Sequence, residues 1–143
     1  MLTKDQINKG FTECMHCSQQ VLMEWTERLG YDRDAAARMA APFGAGMFRG
    51  DTCGAVSAAM IAIGIKYGHC QPGDAAGNAA MIEKAAAFQK EFITRHGSTI
   101  CRELVGYDFS KDGELEKAME SGKVFEICPG MVQSSLKILD KIM

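Results

Sequence analysis

The segment CGAVSAAMIAIGIKYG, at residues 53–68, is apolar on nearly every side when it is wound as a helix. A helix that lacks a polar face has to be buried by other elements on all sides. Asp51 or Thr52 can cap its start, and Gly68 can end it. The sequence therefore predicts a central helix over about 52–67, with the remaining elements packed around it.

The rest of the chain also predicts helices, because its apolar residues recur with the helical period. We expect helices over residues 4–29, near 34–41, over about 75–96, near 99–105 and 114–121, and from Pro129 onward. The long helix should turn inward a face made of Ile82, Ala85, Ala86, Phe92 and Ile93. The predicted fold class is all-α: a compact bundle of about five to seven helices, forming a single domain over residues 1–143.

Composition excludes several classes of protein. The 143 residues are 47% hydrophobic and 24% charged, which is ordinary for a folded domain and unlike a disordered chain. A net charge of −2 without a basic stripe argues against a nucleic-acid partner. No apolar run reaches the roughly 18 residues of a membrane span. The first residues lack the pattern of a secretory signal, so we expect a cytoplasmic location.

Six cysteines are more than packing alone requires in a cytoplasmic chain. Three of them, Cys53, Cys101 and Cys128, lie near predicted helix starts, where unpaired N–H groups favour a thiolate. Cys17 lies at the rim of the buried face of the first helix. Cysteine is also a good small core residue, which is the alternative interpretation. The placement favours a thiol-based or metal site over a purely structural role.

This arrangement resembles a known family. An early helical cysteine in CSQQVL, a glycine-rich loop, the segment DTCGAVSAAMIAIGIKYG, and later single cysteines in CRELVGYD and CPGMV resemble the C_GCAxxG_C_C family over roughly residues 11–140. The resemblance implies a redox-active protein with an iron–sulfur or similar prosthetic group. Its four cysteines correspond to Cys17, Cys53, Cys101 and Cys128. The sequence departs from the pattern at its closing glycine, which is Ala58 here.

The remaining cysteines and loop residues carry weaker signals. Cys14 and Cys17 have CxxC spacing, but Ser18 follows them, which excludes c-type haem attachment. Helical spacing places Cys14 in the core. It also turns His16 to solvent, away from Cys17. We expect Gly54, which follows Cys53, to be a cofactor-binding residue, because a glycine lets a bound group approach the backbone.

The predicted loop and turn side chains leave further alternatives open. Arg49 would lower the pKa of Cys53 if it points inward, although a surface role is equally compatible. The glycine-rich loop could turn N–H groups towards sulfur or an anionic ligand. His96 should lie at the edge of the core. The alternative is a functional role, either as a metal ligand or as a proton partner of a cysteine. His69 and Cys70 could form a weak metal-binding pair.

These observations support a redox or metal site whose catalytic and ligand residues are Cys17, Cys53, Cys101 and Cys128. The thiols would hold an iron–sulfur cluster or zinc, or cycle between dithiol and disulfide. Such a protein would be an oxidoreductase or an electron-transfer accessory, working with a redox partner or a transporter component. The alternatives are a non-catalytic helical module for binding or homo-oligomer formation, and a zinc-stabilised structural domain.

Overall fold

The computed structural model describes residues 1–143 as eight α-helices without a β-strand. The predicted all-α fold class is confirmed, although the number of helices exceeds the five to seven expected from the sequence. No helix combines the length and the apolar character that crossing a membrane requires. The helices are α1 (Lys4–Thr12), α2 (Cys17–Thr26), α3 (Arg33–Ala40), α4 (Gly54–Tyr67), α5 (Ala75–His96), α6 (Cys101–Val105), α7 (Glu114–Glu120) and α8 (Lys123–Ile142).

Helix α4 lies at the centre of the bundle, as its apolar sequence predicts. It packs against α2, α5 and α8. The residues that it buries are Gly54, Ala55, Val56, Ala58, Ala59, Ala62 and Ile63. Most of these side chains are small, so the neighbouring helices approach α4 closely. Burying this apolar surface is the main stabilising contribution to the fold.

The single helix expected over residues 4–29 is two helices, α1 and α2. Between them Cys14 adopts a left-handed conformation with φ of 62°, which ends α1. The side-chain amide of Gln20 fixes this bend by donating hydrogen bonds to the carbonyls of Ile7 (3.1 Å) and Met15 (3.0 Å). The interruption makes Cys14 exposed, so its predicted core position is wrong. Neither proline nor glycine marks the bend in the sequence, and the apolar stripe continues on both sides.

The last helix begins at Lys123, six residues before the predicted start at Pro129. Pro129 has no N–H to donate, so the carbonyl of Phe125 one turn earlier lacks its helical partner. The side-chain amide of Asn8 on α1 donates to that carbonyl at 3.2 Å. This contact lets the helix tolerate an internal proline. Cys128 therefore lies within a helix, and its predicted place at a helix start is wrong.

Helix α5 confirms the predicted burial of Phe92, but the inward face is rotated from the one expected. Its fully buried residues are Phe88 and Phe92, whereas Ile82 and Ile93 are 53% and 45% exposed. Alanines occur on several faces of this helix, so the apolar pattern alone did not define which face is buried. The observed rotation buries the ring of Phe88 beside that of Phe92, and the two rings stack with their centroids 6.0 Å apart.

The bend between α1 and α2 should depend on the Gln20 amide. We expect Gln20→Met to lower the free energy of unfolding by about 1–3 kcal/mol, because it removes the two buried hydrogen bonds that the Gln20 amide donates. Urea unfolding followed by circular dichroism measures this change. Gln89→Met, at an exposed position of α5, is the control and should stay within about 0.5 kcal/mol. Equal effects of the two substitutions would contradict the role given to Gln20.

Candidate functional site

Five of the six cysteines line one cavity of about 220 Å³. They are Cys14, Cys17, Cys53, Cys101 and Cys128, and all are free thiols. The remaining cysteine, Cys70, is exposed in the turn before α5 and lies outside the cavity. The structure therefore brings together the four cysteines expected from the sequence, together with a fifth that was expected elsewhere.

A short main-chain bridge places Cys53 beside Cys101. Thr52 pairs with Ile100 in antiparallel orientation. Two hydrogen bonds flank the pair: the N–H of Cys53 donates to Thr99 at 2.8 Å, and the N–H of Cys101 donates at 2.6 Å to the carbonyl preceding Thr52. Alternate residues along extended backbone share one face, so both cysteines lie on the same side of the bridge. This pairing joins the start of α4 to the start of α6.

Gly54 lets the backbone of α4 approach the sulfur of Cys17. A Cβ atom at this position would lie 2.6 Å from the Cys17 Sγ and 2.7 Å from the Phe43 carbonyl oxygen. Both distances are shorter than any side chain tolerates, so only glycine fits without displacing the thiol. The glycine after Cys53 is thus required by the position of another cysteine, which the sequence alone did not reveal.

One wall of the cavity is a left-handed turn over residues 45–48. Ala45, Gly46, Met47 and Phe48 have φ values of 51°, 62°, 59° and 56°. Residues other than glycine adopt this backbone conformation only at a cost of roughly 1–2 kcal/mol each. At Gly46, a Cβ atom would lie 2.8 Å from the Cys101 Cβ, so the turn packs directly on the cysteine cluster.

Apolar side chains form the rest of the wall. They are Phe11, Phe48, Phe109, Leu115, Met119, Val124 and Met131. His16 is the one lining residue besides the cysteines that can titrate near neutral pH. Its ring packs edge-on against Phe48 at a centroid distance of 5.0 Å, and burial lowers its pKa. The expectation that His16 faces solvent is wrong, because the bend before α2 turns it towards the cavity.

Burial dominates the electrostatics of the four sequence-predicted thiols. It raises the pKa of Cys17, Cys53 and Cys128, and it raises the pKa of Cys101 to about 12. Neighbouring thiols raise the pKa of all but Cys17 further. Backbone N–H groups near Cys17 lower its pKa, but desolvation outweighs them. The expected preference for thiolates at helix starts is therefore wrong for the thiols as they stand.

The other residues singled out in the sequence lie outside the cavity. Arg49 is 68% exposed and faces Asp51 at 3.9 Å, so it does not point at Cys53. His96 accepts or donates a 2.8 Å hydrogen bond with Ser134 at the core edge. His69 is exposed beside Cys70. No three His, Cys, Asp or Glu side chains converge closely enough to hold a single metal ion.

The wall residues and the fifth cysteine were not found from the sequence. Phe11 and Phe109 are single aromatic residues in segments without a recognisable motif. Cys14 carried the one usable signal, its CxxC spacing with Cys17. The helix predicted over residues 4–29 contains both cysteines, so their spacing did not indicate that Cys14 belongs to the site.

We expect the six thiols to separate into two reactivity classes in the metal-free protein. The thiolate is the nucleophile, and a raised pKa leaves less of it at neutral pH. Cys14 and Cys70 should therefore react with iodoacetamide at least about a hundredfold faster than Cys53 and Cys101 near pH 7.5. Peptide mass spectrometry after timed quenching measures the rates. A single rate for all six thiols would contradict the burial described here.

A family comparison matches most of this chain. The matching family is described as "Putative redox-active protein (C_GCAxxG_C_C)", and the match covers residues 15–142. Comparison with curated proteins and with solved structures finds no match. The matched residues include all four of the cysteines that the sequence singled out, at positions 17, 53, 101 and 128. The chain therefore belongs to the C_GCAxxG_C_C family.

Proposed function

We propose that this protein is an electron carrier that holds an iron–sulfur cluster through Cys17, Cys53, Cys101 and Cys128. The observation that carries the proposal is their convergence, from four separate parts of the chain, on one apolar cavity of about 220 Å³. Four cysteine thiolates are the usual ligand set of both common cluster types. A redox partner, which we place in the cytoplasm, would supply and accept the electrons.

The size of the cavity supports a multi-atom group rather than a single ion. A water molecule takes up about 30 Å³ in the liquid. The cavity is several times larger than that, all four thiols line it, and no three metal-binding side chains converge on a single point. Zinc needs its sulfur ligands at about 2.3 Å from a common centre. The arrangement thus fits a cluster better than a structural zinc ion.

The chain contributes the environment that such a group requires. Apolar side chains exclude water from the thiols, and backbone N–H groups lie close to the Cys17 sulfur. Hydrogen bonds to sulfur and low solvent exposure are the features by which proteins set cluster potentials. When bound, the cluster supplies one-electron redox chemistry. Binding would release the thiol protons that burial holds in place in the metal-free protein.

A reversible disulfide is the second candidate function, and the bridge between Cys53 and Cys101 is the observation that favours it. Diagonal positions across an antiparallel pair lie about 7–8 Å apart. The Cα atoms of a disulfide are at most about 6.8 Å apart. Joining these two sulfur atoms would therefore require the backbone to move, which ranks this function below the cluster.

A non-catalytic binding or oligomerisation module is the third candidate. Exposed Ile82 and Ile93 on α5 offer apolar surface for a partner or a second copy of the chain. This interpretation leaves the convergence of the cysteines unexplained, so we rank it last.

Anaerobic purification tests the proposal directly. We expect a coloured protein with broad visible absorption that contains iron and acid-labile sulfide. Cys53→Ser should remove most of this absorption, because it deletes a ligand at the centre of the cavity. Cys70→Ser is the matched control and should keep the spectrum of the unsubstituted protein. A colourless, iron-free protein after reconstitution with iron and sulfide would refute the cluster.

The other candidates give different results in the same experiment. Stoichiometric zinc would support a structural site. A metal-free protein in which the thiols of Cys53 and Cys101 are lost on mild oxidation and regained on reduction would support the disulfide. A metal-free protein in which Cys17, Cys53, Cys101 and Cys128 stay reduced on mild oxidation would support the binding module.

The fit of Gly54 against Cys17 gives a second test. We expect Gly54→Ala to lower the free energy of unfolding by about 1–3 kcal/mol and to reduce iron incorporation, since the added methyl displaces the thiol. Gly64→Ala on the same helix has no atom within 4 Å of the new methyl group. This control should raise stability by about 0.5–1 kcal/mol and leave iron content unchanged. Normal iron content in Gly54→Ala would contradict the position assigned to Cys17.

A further inference from the structure

Cys14 is the cysteine of the cavity that solvent reaches most easily. Its side chain is exposed, whereas Cys53 and Cys101 are each only 6% exposed. It does not belong to the four cysteines of the family pattern, and the proposed cluster does not use it. We propose that Cys14 is an access thiol: it reacts with external low-molecular-weight disulfides and passes the bond to Cys17.

The bend between α1 and α2 fixes Cys14 at the cavity. The N–H of Met15 donates to the Gly10 carbonyl at 2.8 Å, and Gln20 holds the Met15 carbonyl at 3.0 Å. Cys14 is thus held between two anchored segments, three residues before Cys17, which begins α2. Both side chains line the same cavity. The shared cavity and the fixed bend support this exchange, since the strand-to-helix context of a thioredoxin-like CxxC motif is absent from this all-helical chain.

The unfavourable backbone conformation of Cys14 supports a chemical role for its side chain. A φ of 62° lies in the left-handed region, which is unfavourable for most residues that have a side chain. Glycine adopts this conformation freely, and asparagine adopts it more easily than cysteine does. An exposed cysteine at such a position gains no compensating burial. The conformational cost is therefore balanced by something other than packing, and a neighbouring set of four thiols supplies a chemical reason.

The chemistry takes place in two exchange steps. The thiolate of Cys14 attacks one sulfur of an external disulfide such as oxidised glutathione, forms a mixed disulfide and releases one glutathione thiolate. The Cys17 sulfur then attacks the Cys14 sulfur while its proton passes to the departing glutathione sulfur, which forms the Cys14–Cys17 bond and releases the second glutathione as a thiol. Two protein thiols are oxidised and one external disulfide is reduced. An external dithiol reverses both steps.

The consequence for the cavity is mutual exclusion, and this part of the inference rests on the proposed function. A Cys17 sulfur bonded to Cys14 is no longer free to bind a cluster. Disulfide stress would therefore empty the site, and a bound cluster would protect Cys17 from exchange. The arrangement makes occupancy of the cavity dependent on the thiol–disulfide balance of the surroundings.

Mass spectrometry of the metal-free full chain tests the bond itself. After incubation with oxidised glutathione and trypsin digestion, residues 10–28 form one peptide that contains both thiols. We expect this peptide to be lighter by two hydrogen atoms in the unsubstituted protein. In Cys17→Ser the glutathione adduct should remain on Cys14. In Cys14→Ser the internal bond should be absent, and oxidation of Cys17 should slow by about tenfold or more.

Cys70→Ser is the matched control, since Cys70 is also exposed but lies outside the cavity. It should form the Cys14–Cys17 bond at the rate of the unsubstituted protein. Circular dichroism verifies that each variant is folded. Separate glutathione adducts on Cys14 and Cys70, with no internal bond, would overturn the inference. The mass readout does not need a cluster, so this failure and a failure to bind iron are distinguishable.

A second measurement applies once a cluster has been reconstituted. Oxidised glutathione should bleach the visible absorption of the unsubstituted protein and of Cys70→Ser. It should bleach Cys14→Ser about tenfold more slowly. Equal bleaching rates for all three proteins would overturn the mutual exclusion.

Discussion

Two main-chain hydrogen bonds between residues 51–53 and 99–101 determine where the cysteine cavity forms. They tie the start of the central helix α4 to the start of α6, although 48 positions separate Cys53 from Cys101 in the chain. The remaining contributors are arranged around this junction. Gly54 admits the Cys17 sulfur from one side, and α8 brings Cys128 from the other. Without the bridge, the segment that carries Cys101 would lose its main-chain connection to Cys53.

The fold class and the central helix could be predicted because both follow from one-dimensional patterns. A segment without a polar face, such as α4, has few ways to avoid water other than to become central. The four cysteines of the family pattern were also singled out from the sequence, and the structure places all four on the wall of one cavity. What brings them together could not be found, since a bridge such as Thr52 with Ile100 leaves no periodic trace in the sequence.

The errors have a common physical origin in tertiary contacts that compensate for local rules. Asn8 provides a donor for the carbonyl that Pro129 leaves free, so a residue that normally starts a helix lies inside one. Gln20 stabilises a bend that no glycine or proline marks. The prediction that helix starts would favour the thiolate form of the cysteines was wrong for a related reason. Helix starts favour negative charge, but the loss of water around the sulfur atoms is a larger effect, and burial becomes known only once the helices have packed.

The left-handed turn over residues 45–48 bears on the order in which the molecule assembles. In an isolated peptide these residues would favour right-handed or extended conformations, so nothing local directs them into the observed shape. Only the neighbouring packed groups, Cys101 and His16 among them, hold the turn in place. We therefore expect this wall to close late, after the helices have docked. Until then the thiols would stay open to the medium, so a group as large as the cluster proposed above could enter the cavity before its wall is complete.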